Sequence, residues 1–207
     1  MDLILEYQGD ELRVKEGQWT AVEIRPPPGF KPGDLRTWPK LDGRLEYVGG
    51  RLLYIPPCGD DQQDVAVDVV YVLRSWAKRR PGFRVGGNEA GMLLGRGAEA
   101  AVWRKSDLGP NTGGFRRVPP ILAVEVAGAD EDELKLRNEA RWYFDHGVQH
   151  VWLLFPEPRE LLMLTQASEL RFGWSDRVPE VSELPGLKPR VSELFAQIGP
   201  PKGHRRH

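Results

Sequence analysis

The sequence holds one cysteine, Cys58, among 207 residues. A single thiol excludes an internal disulfide framework and a cysteine-rich zinc site. No apolar run approaches the roughly 20 residues that a membrane-spanning helix needs. The opening Met-Asp-Leu-Ile-Leu-Glu lacks the basic-then-apolar order of a secretory signal. A cytoplasmic address without a membrane partner is therefore expected. Surplus charge is also missing: 29 basic and 30 acidic side chains leave a net charge of −1. No molecule-wide positive field can grip nucleic acid, so any basic contact surface must be local. Histidine is scarce as well. His146 and His150 are four apart, but Gly147 ends a helix between them, so surface positions are expected rather than a two-histidine zinc site. There is no internal repeat and no nucleophile-elbow motif. The glycine-rich stretch from Gly109 to Gly114 lacks a phosphate-loop lysine and reads as a plain loop.

What is present is enough for one domain. The 40% hydrophobic share can build a core at this length. The stretch Arg25-Pro-Pro-Pro-Gly-Phe-Lys-Pro-Gly33 forbids a helix and reads as a linker. It suggests an arm and linker over residues 1–40, a body over 41–198 and a basic tail over 199–207. Within the body, Arg44–Val48 and Arg51–Ile55 flank Gly49-Gly50, a two-residue hairpin signal, and Pro56-Pro57 closes the second strand. Val65, Val69, Val72 and Trp76 recur at helical spacing, widened by Ala66, Val70, Leu73 and Ala77. They predict a helix over 61–79, capped by Asp60 or Asp61 and stopped by Pro81-Gly82. Short strands are predicted at Phe83–Val85, Gly91–Leu94 and Ala98–Trp103. The apolar run from Ile121 to Ala127 fits a strand buried on both faces. A second helix is predicted over 130–146, with Leu136, Ala140 and Tyr143 inward and Gly147 after its end. Val148–Phe155 and Glu160–Leu164 read as a second hairpin, and Val191–Phe195 as a short closing helix. This order predicts an α/β domain with a mixed central β-sheet flanked by helices and an N-terminal β arm.

Two acids stand out. Glu125 is the only charge in its apolar strand. A lone carboxylate there must be protonated, paired or bound to a cation, unless the strand end reaches solvent or an arginine. Glu99 sits among Ala98, Ala100 and Ala101 on an upstream strand. Two carboxylates on adjacent strands would repel and raise one pKa, and a hard divalent cation would relieve this. Taken alone, Glu99 reads more readily as a solvated strand-edge acid.

The stretches Leu45–Leu52, Ala98–Trp103, Leu122–Val126, Arg141–Trp152, Leu184–Leu187 and Val191–Phe195, in this order and spacing, resemble the Uma-type endonucleases. These are a bacterial lineage of the PD-(D/E)XK nuclease superfamily. The resemblance implies a restriction-endonuclease-like core whose acidic pair holds Mg²⁺ or Mn²⁺ beside a scissile phosphate. It places that pair on Glu99 and Glu125, with the carbonyl of Val126 as a further metal ligand and Glu46 as a supporting acid. It implies phosphodiester hydrolysis, with nucleic acid, DNA first, as the substrate.

The sequence departs from the family pattern in three places. Glu99 stands where Asp after Pro is usual, and Ala127-Gly128 replaces a common serine. The lysine position, four residues before Tyr143, holds Glu139. Lys135 lies one turn earlier on the same helical face and is the candidate catalytic cation. The spacing alone favours an exposed i,i+4 pair between Lys135 and Glu139. A catalytically inactive nuclease-fold module that binds nucleic acid or a protein is therefore the alternative reading. The basic clusters Lys78-Arg79-Arg80, Arg104-Lys105 and Arg116-Arg117 read equally as phosphate contacts and as solvated loops and helix ends. A homodimer through the edges of the two hairpins is a further expectation.

Overall fold

A computed structural model of the chain describes residues 3–7, 10–14, 21–41, 44–55, 58–92, 95–111, 113–129 and 131–201. Pro56 and Pro57, Leu93 and Leu94, Asp130 and the tail from residue 202 lie outside these described residues.

Among the described residues, eleven strands and three α-helices follow one another. Strands β1 (Leu3–Tyr7) and β2 (Asp10–Val14) pair antiparallel as a separate two-stranded sheet. Strands β3 (Val22–Ile24), β4 (Arg44–Val48) and β5 (Arg51–Ile55) form a three-stranded sheet in the order β3-β5-β4. The β4–β5 turn is the predicted one. Gly49 and Gly50 have φ of 59° and 82°, the positive values a two-residue hairpin turn requires. Between β3 and β4, Phe30 of the proline-rich stretch packs its ring against Trp38 and Tyr47.

The main sheet has six strands in the order β11-β10-β9-β8-β7-β6. They are β6 (Phe83–Met92), β7 (Arg96–Arg104), β8 (Leu122–Val126), β9 (His150–Phe155), β10 (Glu160–Leu164) and β11 (Glu169–Phe172). Only β8 and β9 run parallel, joined through helix α2 (Glu133–Asp145). Helices α1 (Asp60–Lys78) and α3 (Val191–Leu194) pack on one face, where Val65, Val69 and Leu73 meet Val102, Val124 and Leu154. Helix α2 covers the other face with Leu136, Ala140 and Tyr143, the residues predicted to point inward. Both faces of β8 are therefore buried, which is why it carries a nearly unbroken apolar run.

Several boundaries differ from expectation. Phe83–Val85 and Gly91–Leu94 belong to one strand, β6, with a register shift between Gly87 and Ala90. Its glycines hide the strand signal, yet they allow close packing: a Cβ on Gly87 would stand 2.6 Å from Val70 Cγ2 of α1. Helix α2 begins at Glu133, because the Asp132 side chain accepts the Lys135 N–H at 2.7 Å and caps it there. Gly59, rather than Asp60 or Asp61, is the N-cap of α1, and both acids lie in its first turn, where they complement the dipole. Strand β11, mostly exposed, escaped prediction because it lacks a buried face. It pairs with β10, so the second hairpin presents no free edge there. His150 is buried, with Nε2 3.4 Å from Glu183, because it opens a strand covered on both faces.

Gly87→Ala is expected to force α1 off the sheet, at a cost of about 1–3 kcal/mol. Urea denaturation would read this as a lowered midpoint. An unchanged midpoint would mean the helix can shift freely at Val70.

Candidate active site

The site grows from the register of β7 and β8. Ala101 pairs with Ala123 and Ala100 with Val124. The next antiparallel step sets Glu99 opposite Glu125, on the α2 side shared by Ala101 and Ala123. Glu125 is 5% exposed. Its carboxyl is pushed well above the ordinary value by burial and by Glu99, which is close enough to share a proton with it. The Tyr143 hydroxyl of α2 donates to Glu125 Oε1 and lies 3.3 Å from the Gly97 carbonyl. Burial, then the facing Glu125, raises the Tyr143 phenol, so it acts as a donor.

The N-terminal turns of α1 close the site from the opposite side. Gln62 donates through Nε2 to the Val126 carbonyl at 3.0 Å and reaches Glu99 Oε1 at 3.4 Å. One N–H donor group thus fills the gap between two oxygens. Glu99 Oε2 is buried and has no hydrogen-bond partner. Among the described residues, no three His, Cys, Asp or Glu side chains gather into a metal cage. The oxygens that converge are two carboxylates and a main-chain carbonyl. Such a set suits Mg²⁺, which is often held by one or two carboxylates and keeps much of its water.

The hairpin supplies a counter-charge. Arg44 Nη2 lies 2.5 Å from Glu46 Oε1 and donates to the Gly97 carbonyl at 2.9 Å, while Nη1 is 3.7 Å from Glu99 Oε1. Glu46 is buried and accepts the Gly97 N–H at 3.1 Å. Glu46 therefore fastens β4 to β7 and orients Arg44 toward Glu99. A second arginine, Arg96, is 8% exposed and lies 3.0 Å from Glu139 Oε1. Burial opposes its charge, but the acidic groups around it, Glu139 and Glu46 among them, outweigh that cost and keep it protonated. The rings of Trp142 and Tyr143 flank its guanidinium at 5.3 and 5.4 Å.

The expected Lys135–Glu139 pair does not form. The Lys135 ammonium bonds Glu131, whose other oxygen accepts the Gly128 N–H at 3.0 Å. Glu139 turns inward instead, because buried Arg96 needs a partner that an exposed pair would deny it.

The model of the Uma2 family, described as "Putative restriction endonuclease", matches residues 32–192. The chain belongs to the Uma2 family. Its fold is also that of a solved structure from Anabaena variabilis, described as "a putative nuclease belonging to DUF820". The two agree with a TM-score of 0.69 at 18% identity, over 81% of this chain and 98% of that one. No curated protein matches the chain in sequence.

In this Uma2 chain, Glu46, Glu99, Glu125 and Val126 come together, while Lys135, in the first turn of α2, bonds Glu131 instead. Sequence reading missed Gln62, Arg44 and Arg96 and gave Tyr143 only a packing role. Gln62 carried a faint signal, a polar residue in the first turns of an otherwise apolar-striped helix. Arg96 carried none, since its partner Glu139 comes from another element.

Native Glu125 keeps a proton that the unfolded chain releases above its ordinary value of 4.5. Without metal, stability should therefore fall as pH rises above 4.5, toward the raised folded value. Glu125→Gln should flatten that slope in urea midpoints taken from about pH 5 to 8. Parallel slopes for the two proteins would contradict the protonated assignment.

Proposed function

We propose that this Uma2 protein is a metal-dependent endonuclease that hydrolyses phosphodiester bonds of nucleic acid, with DNA as its substrate. One observation carries the reading: Glu99 and Glu125 meet in a buried site beside the Val126 carbonyl, and a Glu99 oxygen is left without a partner. The family and the nuclease-like fold agree with it.

Glu99, Glu125 and the Val126 carbonyl would hold Mg²⁺ or Mn²⁺. When bound, such an ion lowers the pKa of water and offsets charge on the phosphate. The chain's own residues do the rest. The Tyr143 hydroxyl fixes the Glu125 carboxyl, so both acids present oxygens from rigid strands. Glu46 and Arg44 hold the start of β7 against the hairpin. Lys135, in the first turn of α2 and bonded to Glu131 of the loop before it, would supply the cation that meets a phosphate oxygen. Gln62, whose amide nitrogen donates to both the Val126 carbonyl and Glu99, would orient these two oxygens.

Glu139 favours a second reading. Where the resemblance places a lysine, this chain has an acid already neutralised by Arg96. A binding module that has lost catalysis would look like this. Calorimetry with Mn²⁺ separates the two, because the nuclease reading requires a saturable heat lost in Glu125→Ala.

Wild type should nick supercoiled plasmid with Mg²⁺ or Mn²⁺, and Glu125→Ala should reduce nicking to background while keeping native circular dichroism. Equal nicking by both would remove Glu125 from the chemistry. Tyr143→Phe, a milder change, should weaken metal affinity about 10- to 100-fold, with rate recovering at higher Mn²⁺. A rate insensitive to metal concentration would show that Tyr143 only packs.

A further inference from the structure

A second feature wraps the outer edge of the main sheet at β6, from the α1 side round to the face that carries Trp103. The C-terminal half of α1, strand β6 and the turn after β7 enclose an open groove of about 780 Å³. Arg74, Lys78, Arg84, Lys105 and Arg116 line it. Arg84, Lys105 and Arg116 also line an adjoining pocket of about 300 Å³ that runs on toward Asn111. Among the described residues no carboxylate lines either cavity. These five cations also make no ion pair with any described residue. Elsewhere the protein pairs its arginines readily: Arg137 and Arg171 both reach Glu133.

Gathering unneutralised cations costs energy that an anion would recover. Arg116 feels this: burial, then the facing Arg84, pulls its guanidinium below the usual range, although it rests 5.2 Å over the Trp103 ring. Tyr71 stands at the groove and is 72% exposed. An exposed aromatic beside a cationic track is the pairing that nucleic-acid strands use, phosphates on the cations and a sugar or base on the ring.

We infer that this groove is a docking track for the phosphate backbone of the nucleic acid, separate from the carboxylate site. The inference rests on the nuclease reading only for the identity of the ligand. Helix α1 connects the two places. Gln62 belongs to the carboxylate site and Arg74 to the groove, and the helical rise of 1.5 Å per residue sets them about 18 Å apart. At 3.4 Å per base pair, that is about five steps of duplex. The groove would hold flanking duplex while the acids face the cleaved bond.

Fluorescence anisotropy with a labelled 20-base-pair DNA duplex in EDTA tests the track without any cleavage. Lys78→Gln/Lys105→Gln removes two exposed cations, and Arg84→Gln/Arg116→Gln removes the facing pair. Each should weaken binding tenfold or more near 0.1 M salt and lower the salt slope by about two phosphate contacts' worth. Arg141→Gln, an exposed change on α2, should bind like wild type. Wild-type affinity in both double variants, equal loss in Arg141→Gln, or no binding by wild type would each overturn the track. Failure of the nuclease reading looks different: metal-free binding that depends on the groove, with no nicking by wild type in Mn²⁺.

Discussion

Two carboxylates facing each other inside an apolar sheet are the constraint around which this molecule is arranged. Glu99 and Glu125 occupy opposing positions on β7 and β8, and Glu125 has almost no access to water. Neither solvent nor a direct ion pair relieves Glu125; burial and the facing Glu99 push its carboxyl up, and the Tyr143 hydroxyl donates to it. Replacing either acid by an apolar residue of similar size would be a simpler way to build a stable sheet. In the function proposed above, the pair would trade a proton for a cation. That is the logic by which strained groups persist at functional centres.

The surroundings keep this concentration of negative charge within bounds. Arg44 faces Glu46 and Glu99, and Arg96 faces Glu139 while feeling Glu46 and Glu125. Both arginines are largely buried, and each makes contacts that a lysine could not copy. Arg44 forks between a carboxylate and a carbonyl, and Arg96 lies between two rings. Glu139 makes sense in this light. An acid at the inner face of α2 permits Arg96 to be buried, and Arg96 in turn offsets the field of the glutamate pair. The positive charge that the resemblance places on α2 is thus found on β7, reversed across the same contact.

The parts of the fold that local pattern encodes were legible. The Gly49-Gly50 turn, the doubly buried β8 and the Leu136, Ala140, Tyr143 stripe depend on residues near in sequence, so periodicity and turn chemistry reveal them. Glu125 stood out because a charge in an apolar strand is costly, whereas Glu99 stood out only through the family resemblance. What stayed hidden depends on tertiary pairing. Strand β6 is rich in glycine because α1 and Trp103 crowd it, and nothing local says so. His150 reads as a surface residue until β9 is known to be covered on both faces. Arg96 and Gln62 acquire meaning only once β7 meets α2 and α1 meets β8.

Helix α1 is where the architecture ties these features together. Its first turns place Gln62 over the carboxylates, and its middle packs through Val65, Val69 and Leu73 against the sheet. Its last turns align Arg74 and Lys78 with cations from β6 and the turn after β7. A helix held by its middle is a rigid ruler. The distance between its polar ends is then set by residue count rather than by loop conformation. The close approach at Gly87 matters for the same reason. Any side chain there would tilt α1, moving Gln62 from the Val126 carbonyl and the groove cations from one another. A glycine that weakens the strand thus fixes how the acidic site and the basic groove sit relative to each other.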